Sequence, residues 1–210
     1  MAGNLPYLPP PKTALSAEPV CVFGEEYCLP HETALLVRSR KWKMSDEFEV
    51  TDVEGRLHFK VEDKLMEWRD KKTLVNSAGE AVCMAVEKTF TLHSGTHIMR
   101  GRDSNTDNYV VRTRKVSASN PKMEIYLRDN NTSVPDLVAY GNFKKLEFKV
   151  FNPRRVPVAE VRMDPFGPRS YHALLLDVKA HVDMALMVML VVMVTETMIP
   201  PPSPPDSNND

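Results

Sequence analysis

Basic side chains gather at three places along the 210-residue chain, and their chemistry suits phosphate. Arg38, Arg40, Lys41 and Lys43 form the first group. Arg100, Arg102, Arg112, Arg114 and Lys115 form the second, partly offset by Asp103 and Asp107. Lys144, Lys145, Lys149, Arg154 and Arg155 form the third, with Glu147 the one acid inside it. Guanidinium forks meet phosphate oxygens in pairs, whereas a lysine ammonium acts as a point charge. Two of these groups brought together on one surface would cup an anionic headgroup such as that of a phosphoinositide. A plainer account competes: long basic side chains solvate the outer faces of strands and blunt exposed edges. Arg112, Arg114, Lys144, Lys145, Arg154 and Arg155 are the headgroup candidates.

Other chemistries find less to work with. Cys21, Cys28 and His31 lack a fourth neighbouring ligand and the tight Cys-x-x-Cys pair of a zinc site. His93 and His97 lie four apart, but Ser94-Gly95 between them opposes the helix that would align them. Neither a Gly-x-Ser-x-Gly elbow, a phosphate-binding loop nor a dinucleotide fingerprint occurs. Asp46, Glu47, Glu49, Asp52 and Glu54 fall at strand and turn positions and read as a solvated acidic face. The expectation is a protein without catalytic residues, metal or cofactor.

The elements that must position these side chains are mostly strands. Asp52-Val53-Glu54-Gly55 separates Phe48–Thr51 from Leu57–Val61, and Ser77-Ala78-Gly79-Glu80 separates Thr73–Asn76 from Ala81–Val86. Asn152-Pro153-Arg154-Arg155 divides Leu146–Phe151 from Val156–Arg162 in the same manner. Leu35–Arg38, Ile98–Arg100, Tyr109–Arg114, Met123–Leu127, Leu137–Tyr140 and Ala173–Val178 complete about a dozen strands. Within Tyr109–Val116, Arg112 and Arg114 alternate with Val111 and Thr113, so one face is charged and the other is not.

The exception is Met184–Val194, eleven consecutive apolar residues. A helix apolar on every side must be enclosed by protein or by lipid. A spanning helix needs about 20 apolar residues, and this run is flanked by Asp183 and Glu196, so a buried helix over Val182–Met198 is expected. Leu186, Leu190 and Val194 would form its core contacts, and Asp183 its N-cap, accepting free backbone N–H groups. Many strands and one such helix predict a mainly β fold, a closed barrel of about twelve strands around a central helix.

Composition limits the rest. A net charge of −1 argues against a general nucleic-acid binder. Three cysteines without framework spacing, and an N-terminus without an apolar signal core, predict a reducing intracellular setting. Prolines crowd both ends of the chain, so residues 1–26 and 200–210 read as extended or disordered tails around a domain over 27–199.

Taken in order, these segments resemble the plant LURP-one-related family. The resemblance rests on LVNSAGEAVCMAVEKTFTLHSGTHIMRG (Leu74–Gly101), FEVTDVEGRLHFKVED, VFNPRRVPVAEVRM and VDMALMVMLVVMV, and covers about Tyr27 to Thr197. It implies a fold like the Tubby C-terminal domain and the phospholipid scramblases, a twelve-stranded barrel around a hydrophobic C-terminal helix. It implies no established enzymatic activity, a link to plant defence and, through the Tubby relatives, phosphoinositide binding or membrane-tethered transcription control. The chain departs from the pattern at Asn-Pro-Arg-Arg, and in its methionines at 184, 187, 189, 193 and 198, which predict a less uniquely packed helix.

Three readings follow. The first is a monomeric module that binds anionic phospholipid headgroups, cytoplasmic and peripheral at a membrane or nuclear. The second is an adaptor that recruits protein partners through its Pro-rich tails. The third is a scramblase-like protein that inserts its helix into the bilayer.

Overall fold

A computed structural model describes residues 18–42, 45–63, 71–88, 95–103, 105–116, 122–165 and 172–198. Twelve strands follow one another in the chain: β1 Thr33–Trp42, β2 Ser45–Asp52, β3 Leu57–Asp63, β4 Lys71–Asn76, β5 Ala81–Lys88 and β6 Gly95–Arg100. The second half adds β7 Val111–Val116, β8 Lys122–Leu127, β9 Leu137–Asn142, β10 Glu147–Phe151, β11 Pro157–Met163 and β12 His172–Val178. Each pairs antiparallel with its chain neighbours, and β1 pairs with β12, which closes the barrel. Closure leaves no strand edge open. The helix α1, Met184–Met198, runs for about 22 Å at 1.5 Å per residue.

Every residue from Met184 to Thr195 is buried, on all sides of the helix. Around it stand the inward side chains of the strands, among them Leu35, Phe59, Leu74, Ile98, Ile125 and Leu176, none more than 1% exposed. The all-round apolar sequence is therefore answered by an all-round apolar wall. The expected start of the helix at Val182 moves by two residues, because Val182 instead makes a parallel bridge with Val20.

Three hairpin turns repeat one design. Asp52, Asn76 and Asn152 each accept, at the backbone carbonyl, the N–H three residues on, from Gly55 at 3.1 Å, Gly79 at 2.9 Å and Arg155 at 2.9 Å. Each side chain accepts the N–H four residues on, from Arg56 at 2.9 Å, Glu80 at 2.9 Å and Val156 at 2.9 Å. The residue three positions after each of Asp52, Asn76 and Asn152 adopts a left-handed backbone, with φ of 84° at Gly55, 83° at Gly79 and 62° at Arg155. Glycine adopts that region without strain, whereas arginine does so at a cost. A different need is met at Gly141, where a Cβ would stand 2.5 Å from the Glu147 carbonyl oxygen.

Residues 18–26, expected as part of an N-terminal tail over 1–26, pack against the barrel. Val22 and Phe23 are buried in the core, and Tyr27 lays its ring 5.6 Å from that of Phe59. Val20 donates to the His181 carbonyl at 2.9 Å and accepts from the Asp183 N–H at 2.7 Å. Residues 18–26 thus belong to the barrel, because they cover the end at which α1 begins. The expected tails over 1–17 and 200–210 lie outside the described residues.

Candidate functional site

The register of β7 and β8 decides where the basic residues point. Val111 and Thr113 are buried inside the barrel, so Arg112 and Arg114 stand on the outer wall. Arg112 lies opposite Tyr126, and Arg114 opposite Glu124. Lys122, Tyr140 and Lys149 continue that wall as one row across β8, β9 and β10. The 3-10 helix Phe143–Lys145 follows β9 and carries Lys144 and Lys145, both exposed, at the same rim. Its turn is fixed by the Asn142 side chain, which accepts the Lys145 N–H at 3.2 Å.

The wall has a wired centre. The Arg112 guanidinium sits 4.7 Å from the centroid of the Tyr126 ring, and that of Arg114 5.8 Å. Glu124 is almost fully buried and accepts from Arg114 at 2.9 Å, Lys122 at 2.9 Å and the Tyr126 hydroxyl at 2.9 Å. Desolvation alone would raise its pKa, but the hydrogen bonds from Lys122, Arg114 and Tyr126 outweigh it and hold the carboxyl at about 2. Burial, then the neighbouring Glu124, push the Tyr126 phenol above its ordinary value, which keeps its proton in place as a donor. Glu124 therefore pins Arg114, Lys122 and Tyr126, while Arg112 keeps its charge uncompensated by any carboxylate among the described residues. Lys144 and Lys145 likewise have no acidic partner among the described residues.

The six expected headgroup residues do not form one cup. Lys144 and Lys145 lie at the rim where β10 begins and Arg154 and Arg155 in the turn at its other end, about 17 Å away at 3.3 Å per residue, while Arg112, level with Asp136 just before β9, stands toward the Arg154 end of the wall. Arg154 is tied to Glu18 at 2.5 Å. In the first basic group, Arg38 stands exposed on β1, while the side chains of Arg40 and Lys41, and Lys43 altogether, lie outside the described residues. The Lys115 side chain lies outside them as well. Sequence reasoning passed over Lys122 and Tyr126. The alternation in β8 was the available signal, but their partnership with β7 depends on register.

The histidine and cysteine expectations change partners. His97 packs its ring 4.4 Å from that of Tyr109, while His93 lies outside the described residues. Cys21 and Cys28 do converge, and the third donor is Asp183 rather than His31, with all three ligand atoms within 4.8 Å of one another. Asp183 is fully buried at the start of α1 and accepts from the Leu186 N–H at 3.1 Å. It also accepts the N–H groups of Val22 at 2.9 Å and Phe23 at 2.6 Å. Burial pushes its pKa up, against the pull of those backbone donors.

A family model described as LURP-one-related matches residues 33–195, from the first strand to the last turn of the helix. The chain belongs to the LURP-one-related family. Among relatives from Arabidopsis thaliana, this LURP-one-related chain is 26% identical to Protein LURP-one-related 9 over 192 residues, covering 85% of the chain and 98% of the relative. It is 28% identical to Protein LURP1 over 116 residues, 54% of the chain and 56% of that relative. The match to Protein LURP-one-related 1 is also 28% identical and spans 58% of the chain and 53% of the relative, so about half the length of these two is covered. An X-ray structure of an Arabidopsis thaliana protein shares the fold, with a TM-score of 0.67 at 20% identity over 84% of this chain and 98% of that one.

Proposed function

We propose that this LURP-one-related protein is a non-catalytic module that docks on phosphate-bearing membrane surfaces through the outer wall of β7–β10 and its rim. The observation that carries the reading is Arg112: an exposed guanidinium braced on the Tyr126 ring with no carboxylate of its own among the described residues. Lys144 and Lys145 extend the positive rim, and Lys122 and Arg114 add charge around a single buried acid. Such a surface attracts anionic headgroups by long-range field and meets phosphate oxygens at close range. The reading places the protein in the cytoplasm, peripheral at the membrane. Insertion of α1 into lipid would require opening the barrel, since its apolar residues are enclosed by the wall. No helix among the described residues is long and apolar enough to cross a membrane.

Co-sedimentation with phosphatidylcholine vesicles, with and without a phosphoinositide, tests this over a salt titration. Binding should require the anionic lipid and weaken steeply with salt. The triple variant Arg112→Glu, Lys144→Glu, Lys145→Glu should lose on the order of a hundredfold in affinity, at roughly 1 kcal/mol per basic residue removed. Lys60→Glu, exposed on β3 across the ring from this wall, should bind as before. Equal binding by all variants would overturn the assignment.

A further inference from the structure

The barrel end at which α1 begins holds two thiols that the phosphate-binding wall does not use. Cys21 is exposed, Cys28 is partly buried, and their sulfur atoms lie within 4.8 Å of each other and of the Asp183 carboxylate. Residues 21–28 are one short strap, turned back on itself by the 3-10 helix Glu25–Tyr27. The Cys28 thiol donates to the Gly24 carbonyl at 3.4 Å, which holds it on the inner side of that strap. The strap in turn carries the Val22 and Phe23 amides that cap Asp183.

We propose that Cys21 and Cys28 are a peroxide-oxidation site, closing to an intrachain disulfide that staples the strap over the helix cap. Exposure makes Cys21 the attacking thiol. Its thiolate, after losing a proton to water, attacks a hydroperoxide O–O bond, taking one oxygen as a sulfenic acid and releasing water or an alcohol. The Cys28 sulfur, deprotonated in its turn, attacks the Cys21 sulfur, forming the S–S bond and expelling hydroxide, which leaves as water. Two thiols lose two electrons and two protons, and the hydroperoxide is reduced by the same two electrons. Burial, the hydrogen bond with Cys21 and the nearby Asp183 keep the Cys28 thiol protonated far into the alkaline range. Cys28 is thus the resolving partner, and ring closure should quicken as pH rises.

A thiophilic metal suits the same donors less well. Three donors converge among the described residues, and Asp183 already accepts three backbone N–H groups at the positive end of a helix, where a cation is disfavoured. Cys83 is fully buried inside the wall and supplies an internal control.

The test treats the full chain with hydrogen peroxide and maps its peptides without reduction. The expected product is a Cys21–Cys28 disulfide with Cys83 still a thiol, reversed by dithiothreitol. Amide exchange at Val22 and Phe23 should slow on the order of tenfold on closure, since a short cross-link restrains the opened strap. Cys28→Ser should accumulate a sulfenic acid on Cys21, trapped by dimedone, whereas Cys21→Ser should give no trapped product. Cys21 is exposed, so that variant keeps the fold, which circular dichroism verifies. Oxidation of Cys21 directly to sulfonic acid in the unmodified chain, or stoichiometric zinc retained until the thiols are alkylated, would overturn the proposal.

Discussion

Phe23 donates its backbone N–H to Asp183 at 2.6 Å across 160 residues of sequence. The carbonyl of the same peptide unit, that of Val22, accepts from the Arg100 guanidinium, which also donates to the Phe23 carbonyl at 3.0 Å. One peptide group therefore stands between a buried anion and a cation, and each polarises it in favour of the other. The segment before β1, the sixth strand and the helix meet at this unit.

Removing the anion should cost more than an ordinary helix cap, for which about 1 kcal/mol is typical. Asp183→Ala strands buried N–H groups of Val22, Phe23 and Leu186, and a loss of about 3–5 kcal/mol in urea unfolding is expected. Arg100→Met should cost about 1–2 kcal/mol, its carbonyl partners being nearer solvent. The double variant should be less destabilised than the sum by about 1 kcal/mol. Strict additivity in the double-mutant cycle would mean that the shared peptide unit transmits nothing.

The repeated turns yield a prediction of opposite sign. Arg155 holds a left-handed backbone where Gly55 and Gly79 hold it in the sister turns. Arg155→Gly should stabilise the protein by about 1 kcal/mol, and Gly79→Arg should destabilise it by a similar amount. A Cβ at Gly79 meets nothing within 4 Å, so backbone strain alone is being read. Thermal melts of the two variants moving in the same direction would contradict this account.

The helix methionines were expected to loosen its packing, yet Met187 and Met189 are as enclosed as Leu186 and Leu190. Leu190→Ala should cost about 3 kcal/mol, since the surrounding wall cannot collapse into the space. Met187→Leu and Met189→Leu, which nearly conserve volume, should each cost less than about 1.5 kcal/mol. Denaturant midpoints decide between them; a severe loss in the Leu variants would show that the unbranched methionine shape is itself required.

Local chemistry made the barrel legible in the chain. Asp52, Asn76 and Asn152 announce their turns because each side chain satisfies backbone donors only a few residues on. The enclosed helix declared itself by lacking any polar side. Partnerships set by register were not legible. Nothing near Arg112 in sequence indicates Tyr126 beneath it, and nothing near Cys21 indicates Asp183. The basic residues of the third group, close in sequence, are split to opposite barrel ends by the length of β10.

The wired centre of that wall should be visible in acid. Glu124 is held at about 2 against an ordinary 4.5, because Lys122, Arg114 and Tyr126 donate to the carboxylate despite its burial. A folded-state pKa below the unfolded value gives stability that is present above pH 4.5 and lost as pH falls from 4.5 toward 2. Asp183 acts in the opposite sense: its raised pKa contributes stability that is present below its unfolded value and lost as pH rises through the folded one. Glu124→Gln should thus lose about 1 kcal/mol at pH 7, a figure kept small because Arg114 and Lys122 are part-exposed and screened. The gap between Glu124→Gln and the unmodified protein should narrow as pH falls below 4.5, read from urea midpoints at pH 7, 4 and 3. A gap that stays constant would show that the Glu124 charge contributes nothing and that the side chain matters only for its shape.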